Sequence, residues 1–335
     1  MAEAHLKEAL YWEPGENGRV QCLLCPHGCR IAEGKVGQCR VRRNVGGVLR
    51  SLNYGRVSSV HWDPIEKKPL FHFHPGATIL SLGTIGCNLA CAFCQNWAIS
   101  QSRPGTQRMI PDEAVLMAKK EKSNIGISYT YNEPFIWYEF VLETARLAKA
   151  EGLKNVLVTN GYVNEKPLRE LLPYIDAMNI DIKSMNEDFY RELCRGRPEP
   201  PRRTAEIARE SGCLVEITNL VIPNWNDRDE DIRALTDWVA SLGTDVALHF
   251  SRYHPDYKMT EPPTPADTLF RAREIAKEKL PYVYIGNLPG AGGEDTICPK
   301  CGAVVVERSG FGVTRLAMKN GQCESCGGEI PIVGT

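Results

Sequence analysis

The sequence predicts an α/β chain whose core is a parallel sheet, either a full or partial (β/α) barrel or a doubly wound sheet. Seven short apolar runs rich in Val and Ile recur between residues 77 and 286, and such runs are typical of strands buried on both faces. Segments with helical periodicity separate them, so parallel strands joined by crossover helices are expected. The order of the elements does not distinguish the barrel from the doubly wound sheet.

The predicted strands are ATILSLGT (77–84), NIGISYT (124–130), NVLVTNG (155–161), DAMNIDI (176–182), LVEITNLVIP (214–223), DVALHFS (245–251) and YVYIG (282–286). Two of the segments between them carry one apolar face at helical spacing. The first face comprises Phe140, Val141, Thr144, Leu147 and Ala148, and the second comprises Ile232, Leu235, Trp238, Val239 and Leu242. Pro111 predicts a helix start, and TPAD at 264–267 predicts another with Thr264 as N-cap.

Composition narrows the function classes. The 335 residues indicate one large domain with small appendages, or two domains. A net charge of −1 gives no electrostatic case for binding nucleic acid or a membrane surface. No apolar run approaches the length of a transmembrane span, and the opening MAEAHLKEAL lacks the apolar core of a signal peptide. We therefore expect a cytoplasmic protein.

The 13 cysteines fit metal binding better than a disulfide framework, because their number is odd and most of them are clustered. Three groups stand out, which we call the N-terminal, central and tail cysteines. They are Cys22, Cys25, Cys29 and Cys39; Cys87, Cys91 and Cys94; and Cys298, Cys301, Cys323 and Cys326. The remaining Cys194 and Cys213 are interpreted as small buried apolar residues.

The central cysteines, spaced C-x3-C-x2-C, directly follow the first predicted strand. Chemistry in parallel α/β folds is located at the carboxyl ends of the strands, so this loop is expected at the catalytic mouth. Three thiolates on a [4Fe–4S] cube leave one iron without a protein ligand, and an open position is typical of a reactive metal site. The alternative is a zinc site with a distant fourth ligand.

The other two groups have four cysteines each. The N-terminal spacing C-x2-C-x3-C-x9-C fits a closed zinc knuckle or an auxiliary [4Fe–4S] cluster, and spacing does not separate the two metals. The tail cysteines form two C-x2-C pairs around a 21-residue insert, which predicts a zinc ribbon stabilised by its metal. An auxiliary iron–sulfur cluster is the alternative there.

The motif after the first strand resembles that of the radical S-adenosylmethionine (SAM) superfamily. The resemblance implies a partial (β/α)6 TIM-like barrel over residues 77–287, with a [4Fe–4S] cluster at the central cysteines whose open iron binds SAM. It implies that Phe93 packs near the adenine. In YTYNEP (129–134), it implies that Asn132 and Glu133 hold the SAM amino group, while capping of the helix after them is the structural alternative.

Other segments resemble the activating enzymes of glycyl-radical enzymes. TNGY (159–162) and IDIK (180–183) match strand ends of these activases, which implies cofactor contacts for Thr159, Asn160, Asp181 and Lys183. Asp181 and Lys183 alternate along a strand and share one face, where a salt bridge between them is the alternative. RYHPDY (252–257) makes His254 a further catalytic candidate beside Asp181 and Lys183. Val158 departs from the pattern, since the activases carry an acidic residue there that contributes to a monovalent cation site.

The segments at 22–42 and 63–76 resemble the AmmeMemoRadiSam-system radical SAM enzymes. This resemblance implies a Memo-like protein and a second small partner, besides a substrate and an external electron donor.

The sequence divides into three modules: residues 1–76, a cysteine-rich lead-in; residues 77–287, the partial barrel; and residues 288–335, the ribbon. Two functions from different classes follow: a radical SAM enzyme acting on a small molecule or protein, including an activase, or a non-catalytic metal-binding assembly protein.

The segment EKKPLFHFHPG (66–76) carries His72 and His74 in alternation with apolar residues. Two histidines at this spacing are candidates for a ligand pair or a proton donor. The alternation favours a structural role instead, as an edge strand that enters the barrel.

Overall fold

Seven parallel strands form the centre of the molecule and follow one another across the sheet in sequence order. The computed structural model of the protein describes residues 6–290 and 292–335. Residues 1–5 and residue 291 lie outside the described residues. The first five belong to the N-terminal stretch interpreted above as lacking a signal peptide. No helix in the described ranges combines the length and apolar character needed to cross a bilayer.

The elements before the central sheet are short strands. They are β1 (Lys7–Glu8), β2 (Trp12–Pro14), β3 (Val20–Cys22), β4 (Arg30–Ile31), β5 (Arg42–Val45), β6 (Val48–Ser51) and β7 (Arg56–Val57). Strands β2, β3 and β4 form one antiparallel sheet, and β1, β6 and β5 form another. The N-terminal cysteines lie in and between these strands, so the lead-in is a small all-β module.

The central elements are β8 (Ser59–Pro64), β9 (Thr78–Gly83), α1 (Trp97–Ser100), β10 (Gln107–Arg108), α2 (Pro111–Ala118), β11 (Asn124–Tyr129), α3 (Tyr138–Ala150), β12 (Lys154–Thr159), α4 (Glu165–Leu171), β13 (Ala177–Asp181), α5 (Glu187–Phe189), α6 (Glu199–Glu210), β14 (Leu214–Val221), α7 (Asp229–Leu242), β15 (Leu248–Arg252), α8 (Ala266–Lys277) and β16 (Val283–Gly286). A π-helical turn, Tyr190–Cys194, follows α5, and 3-10 turns cover Glu16–Gly18, Ile65–Lys67, Pro134–Trp137 and Leu172–Tyr174.

The central sheet has the order β16-β15-β14-β13-β12-β11-β9-β8, with β8 antiparallel to β9 and all other pairs parallel. The crossovers contain α2, α3, α4, α6, α7 and α8, which gives six β/α units and the final strand β16. The sheet is open, because β16 and β8 are its two edges in the described chain. The predicted fold class is therefore confirmed: an α/β chain with a parallel core sheet whose strands follow sequence order, as in a partial barrel.

Packing explains why the predicted strands and helices form. All seven apolar runs are strands, and their side chains are largely buried. Helix α2 begins at Pro111, where the carboxylate of Glu113 accepts a hydrogen bond from the N–H of Ile110 at 2.8 Å. The N-cap prediction for Thr264 is wrong. Helix α8 begins at Ala266, and the Thr264 hydroxyl instead donates to the carbonyl of Val221 at 2.6 Å.

The edge-strand prediction for 66–76 is also wrong, because β8 occupies the edge and 66–76 turns beneath the sheet. Leu70 and Phe73 pack against Ile79 near the start of β9. His72 is buried, and its ring Nε2 lies 2.8 Å from the Tyr284 hydroxyl. Its backbone N–H donates to the Glu216 carboxylate at 2.7 Å. The apolar alternation thus closes the amino-terminal end of the sheet. The structural role proposed for His72 agrees with these contacts.

The tail adds β17 (Thr296–Ile297), β18 (Val304–Ser309), β19 (Gly312–Leu316), β20 (Met318–Lys319) and β21 (Gln322–Cys323). It packs on the sheet through an apolar cluster that includes Val306, Ile330 and Tyr284. The side chain of Arg308 joins the tail to the segment before the sheet. Its guanidinium donates to the carbonyl of Phe71 at 2.8 Å and lies 4.2 Å from the centre of the Phe71 ring. The tail therefore covers the end of the sheet opposite the carboxyl ends of the strands.

Candidate active site

A cavity opens at the carboxyl ends of the parallel strands. Its walls come from the loop after β9 and from the ends of β11 to β16, as parallel pairing requires. The lining residues are Cys87, Cys91, Phe93, Cys94, Gln95, Asn96, Ser100, Tyr131, Asn132, Glu133, Asn160, Asp181, Lys183, Thr218, Leu220, Ser251 and Asn287. All three central cysteines and most of the other residues predicted to bind cofactor therefore share one cavity.

The central cysteines lie on one wall, in the loop between β9 and α1. The Oγ atom of Ser100 lies 3.1 Å from the Sγ atom of Cys94, and the side-chain amide of Asn160 donates to Sγ of Cys87 at 3.5 Å. Hydrogen bonds to thiolate sulfurs are one means by which proteins tune iron–sulfur potentials. The Cys194 thiol is buried as predicted, but it also donates to Cys91 from behind this wall, and that hydrogen bond lowers the pKa of Cys91.

Asp181 and Lys183 lie across the cavity, at the end of β13. Nζ of Lys183 is 2.8 Å from Oδ2 of Asp181, so the pair forms the salt bridge considered from the sequence while it also lines the cavity. Burial disfavours the charged ammonium, but the carboxylate of Asp181 and the nearby Cys91 raise the pKa of Lys183 above its usual value. The cavity therefore contains a fixed positive charge beside a group of thiols.

The strand end that carries Lys183 is held by two asparagine side chains. The amide of Asn219 donates to the carbonyl of Ile182 at 2.7 Å, and that of Asn226 donates to the carbonyl of Lys183 at 2.8 Å. The Tyr190 hydroxyl accepts a hydrogen bond from the backbone N–H of Lys183 at 3.1 Å. These bonds satisfy backbone groups that no longer pair within the sheet, so the ion pair sits on a fixed backbone.

Glu133 is buried and accepts three hydrogen bonds. The donors are the N–H of Phe135 at 3.0 Å, the hydroxyl of Thr159 at 2.7 Å and the N–H of Asn160 at 2.8 Å. The bond to Phe135 is the helix-capping role considered above, since it begins the turn Pro134–Trp137. Burial raises the pKa of Glu133 to about 7 despite these donors, and the charge of Asp181 adds to the rise.

The asparagines of this wall mainly orient the backbone. The amide of Asn132 donates to the carbonyl of Gly86 at 2.6 Å, and its Oδ1 accepts from the N–H of Thr84 at 3.2 Å, so it fixes the start of the cysteine loop. Asn160 donates to Oδ1 of Asn88 at 3.0 Å and faces the cavity. Thr159 lies behind the wall, where its hydroxyl supports Glu133.

Phe93 and His254 differ in where the structure places them. Phe93 lines the cavity and packs against Phe189, with ring centres 5.8 Å apart. His254 is exposed and is absent from the cavity wall. The N–H of Tyr253 donates to the Thr264 hydroxyl at 3.0 Å, and this bond anchors the chain at the point where it leaves the mouth. The structure thus does not bring His254 together with Asp181 and Lys183.

Sequence reasoning missed several wall residues. Tyr131 has a positive φ of 72° and its hydroxyl donates to Asp63 of β8, which is also bound by the buried Lys68 at 2.6 Å. Ser251 lies near the end of β15 and Asn287 directly follows β16, and the side chain of Asn287 donates to the Ser251 hydroxyl at 2.8 Å. The rule that chemistry collects at strand ends would have found Ser251 and Asn287. No sequence signal pairs Asp63 with Tyr131.

The tail cysteines are preorganised for one ion. Sγ atoms are 3.7 Å apart for Cys298 and Cys326 and 3.8 Å apart for Cys301 and Cys323. Tetrahedral zinc with bonds of about 2.3 Å requires sulfurs about 3.8 Å apart. Across the described ranges, the tail cysteines are the one group of three or more His, Cys, Asp and Glu residues whose ligand atoms all lie within 4.8 Å of one another. The four sulfurs could hold a zinc ion.

Comparisons with known proteins agree with this geometry. The Radical SAM superfamily model matches residues 82–236. An uncharacterized protein of Methanocaldococcus jannaschii is 46% identical over 336 residues, covering 98% of this chain and 100% of that protein. The pyruvate formate-lyase 1-activating enzyme of Escherichia coli K12 is 26% identical over 175 residues, covering 50% of this chain and 71% of the enzyme.

A solved structure shares the fold. Streptococcus suis SuiB bound to S-adenosylmethionine matches with a TM-score of 0.51 at 16% identity, over 67% of this chain and 53% of SuiB. The superfamily match begins in β9 and ends in α7, so it spans the cysteine loop and the strand ends that carry Glu133, Asp181 and Lys183. The chain therefore contains a Radical SAM domain and is homologous to the pyruvate formate-lyase activating enzymes.

Proposed function

We propose that the chain reductively cleaves SAM at a [4Fe–4S] cluster held by the central cysteines, which supplies a 5′-deoxyadenosyl radical for hydrogen abstraction from a substrate. The observation that carries this proposal is the convergence of three thiols and the Asp181–Lys183 pair in one cavity at the strand ends. The match of residues 82–236 to the Radical SAM superfamily supports the same chemistry. The substrate is not identified by these observations.

The donor set fits a cluster with one open position. The cavity wall offers three thiols, and the nearby Cys194 is buried behind Cys91 and does not line it. Unlike the four tail cysteines, the central cysteines do not have sulfur atoms that all lie within 4.8 Å of one another. This wider spacing is expected when each thiolate binds a different iron. The Lys183 ammonium offsets part of the negative charge that a thiolate-bound cluster carries.

The remaining wall residues have complementary tasks in this proposal. Asp181 and Lys183 provide opposite charges for the zwitterionic amino-acid end of SAM, and Glu133 adds a carboxylate beside Asn160. Phe93 provides an apolar surface for the adenine. Because these groups are held by hydrogen bonds before any ligand arrives, little reorganisation is needed when SAM binds.

A direct test is product formation. Anaerobically reconstituted protein, reduced with dithionite and given SAM, is expected to form 5′-deoxyadenosine and methionine, measured by liquid chromatography with mass detection. Cys213→Ala is a suitable control, because Cys213 is buried just before the start of β14 and does not line the cavity, so this change should leave turnover unchanged. Absence of 5′-deoxyadenosine from protein that contains its full iron and binds SAM would reject the proposal.

A second candidate is activation of a glycyl-radical enzyme, in which the hydrogen donor is a glycine of a partner protein. The similarity to the pyruvate formate-lyase 1-activating enzyme favours it. Val158, where the activases carry an acidic residue, weighs against a strict match. A Memo-like protein and a second small partner remain expectations from the resemblance described above. Co-purification followed by electron paramagnetic resonance for a glycyl radical distinguishes a protein substrate from a small molecule.

We further propose that the tail cysteines hold a structural zinc ion. Changing Cys298 and Cys301 to Ser is expected to remove about one zinc per chain and lower the melting temperature by several degrees, because zinc ribbons draw folding energy from their metal. Elemental analysis and thermal unfolding measure both effects, with Cys213→Ala as the control. Iron and sulfide found at this site instead would contradict the zinc assignment.

A further inference from the structure

The segment that contains most of the RYHPDY motif forms a closed loop behind the cavity wall. We call residues 253–264 the strap. Its two ends are joined, because the N–H of Thr264 donates to the carbonyl of Tyr253 at 3.0 Å and the N–H of Tyr253 donates to the Thr264 hydroxyl at 3.0 Å. None of the strap residues, all of which the structure describes, lines the cavity. The strap is a compact loop of a kind that often carries function, and its effect on the cavity must pass through another segment.

The segment that the strap contacts is the loop of the central cysteines. The backbone N–H of Lys258 donates to the carbonyl of Ala92, which lies between Cys91 and Phe93, at 3.0 Å. Met259 is buried in the same apolar cluster as Cys91 and Phe93. The N–H of Ala92 is bound separately, by a carbonyl of the π-helical turn at 2.8 Å. Both backbone polar groups of Ala92 are therefore held, one by the π-helical turn and one by the strap.

Two tryptophans outside the strap fasten it through their indole N–H groups. Trp97, the first residue of α1, donates to Oδ1 of Asp256 at 3.1 Å and stacks on Tyr257 with ring centres 5.6 Å apart. Trp225 donates to Oε1 of Glu261 at 3.0 Å and packs against the apolar cluster of the cysteine loop. The two indole bonds fall on either side of the buried methionine in the sequence. The strap is thus fixed on both sides of the residue that it inserts behind the cysteines.

The backbone of the strap is strained next to its contact with the cysteine loop. Tyr257 has a φ of 57°, which is uncommon for a bulky residue. Its N–H donates to Oδ1 of Asp256 at 2.6 Å, and the same oxygen accepts the indole N–H of Trp97. Strained residues persist only where surrounding contacts determine their conformation, and they cluster at functional sites. Here the strained residue directly precedes Lys258, whose N–H binds the cysteine loop.

The loop of the central cysteines depends on such neighbours for its shape. Residues 84–96 are all described and contain no helix or strand, so no regular backbone hydrogen-bond pattern fixes the loop. Segments of this kind open locally when the contacts around them are lost. Cys91 is buried, and a buried thiol reacts only when such an opening exposes it. Contacts from the strap therefore affect both the geometry of the thiols and their access to solvent.

We infer that the strap is a clamp on the central cysteines, which holds their loop in one geometry and keeps solvent away from the thiols. Trp97, Asp256 and Met259 act through the loop, so they are positioning residues. The clamp on the thiols does not depend on the function proposed above. Its consequence for a cluster rests on that function, because a cluster at the central cysteines would be lost faster once the strap is released. The RYHPDY motif then has a role that does not require His254 to reach the cavity.

Alkylation tests the clamp without a cluster. Iodoacetamide is added to the full chain isolated before iron and sulfide are supplied, and peptide mass spectrometry follows labelling of Cys91. Met259→Ala leaves a void behind the loop, so labelling of Cys91 is expected to rise at least about tenfold. Met259→Leu keeps the apolar volume and should restore the wild-type rate. Cys213, buried elsewhere, reports global unfolding and should stay slow in every variant.

Trp97→Phe is the second probe, because Met259→Ala could loosen the whole chain. It keeps an aromatic ring on Tyr257 but removes one indole hydrogen bond, so labelling of Cys91 should rise by about threefold or more. Trp62→Phe is the matched control and should leave the rate unchanged, since Trp62 is 42% exposed and Trp97 is 38% exposed. Equal labelling of Cys91 in wild type, Met259→Ala and Trp97→Phe overturns the clamp. An equal rise in Trp62→Phe overturns it too.

A second arm measures how well a cluster is retained. Reconstituted protein is treated with the iron chelator bathophenanthroline disulfonate, and iron release is followed by absorbance, with the variant whose central cysteines are Ala as background. Met259→Ala and Trp97→Phe are expected to release iron faster than wild type, in the same order as for labelling. If labelling responds but the central cysteines hold no iron, the proposed function fails and the clamp stands. If iron is held there and neither rate changes, the clamp fails and the proposed function stands.

Discussion

Replacing Cys87, Cys91 and Cys94 together by Ala is expected to remove about four iron atoms per chain and abolish SAM cleavage. The three thiols lie on one wall of the cavity, and no other thiol lines it. No ligand set then remains to hold a cube at this site, so the loss of turnover should exceed a thousandfold, roughly 4 kcal/mol in barrier terms. Iron analysis and 5′-deoxyadenosine assay measure the two effects.

Cys194→Ala is the matched control for this change. Cys194 is fully buried and donates to Cys91, but it is outside the cavity wall. The control should keep its iron and show at most a shifted cluster potential, because only a hydrogen bond to one sulfur is lost. Unchanged iron in the triple alanine variant would mean that the central cysteines do not hold a cluster.

The variants Asp181→Asn and Lys183→Met should keep the cluster and the fold but lose SAM affinity or cleavage rate by at least about tenfold, roughly 1.4 kcal/mol. Each removes one charge of a pair whose atoms are 2.8 Å apart, in a cavity where low polarity strengthens charge contacts. Calorimetry reports the affinity, and single-turnover cleavage under dithionite reports the rate.

The exposed pair Lys279 and Asp237 offers a matched control for these substitutions. Lys279→Met and Asp237→Asn remove the same charges far from the cavity and are expected to leave both measurements unchanged, since exposed ion pairs contribute little. If the Asp181 and Lys183 variants bind and cleave SAM like the parent, the end of β13 does not contact the cofactor. The prediction for the central cysteines would be unaffected.

The sheet could be predicted from the sequence because its strands are buried on both faces, which leaves continuous apolar runs such as ATILSLGT. The edge strand β8 could not, since its Trp62 and His61 are exposed and give no such run. Apolar alternation at 66–76 instead reflects burial of Leu70 and Phe73 under the sheet, where no strand forms. Periodicity reports burial, and it does not identify the partner that a segment packs against.

The lining of the cavity was predictable where residue types carry chemistry and follow a strand, as for the central cysteines, Asp181 and Lys183. It was less predictable where one side chain supports another. Asp63 holds Tyr131 from a different strand, and Asn226 supports Lys183 across 43 residues of sequence, so neither pairing leaves a local signal. His254 is a different case. Its motif indicated a catalytic residue, and the structure places it exposed to solvent after Tyr253, outside the cavity wall.

The measurement that tests the central claim most directly is electron paramagnetic resonance of the dithionite-reduced protein before and after SAM is added. If the open iron of a cluster at Cys87, Cys91 and Cys94 binds SAM, the signal of that cluster should change its g-values on addition. The change should be absent in the triple alanine variant. A signal that stays the same at saturating SAM, in protein with its full iron content, would contradict the account.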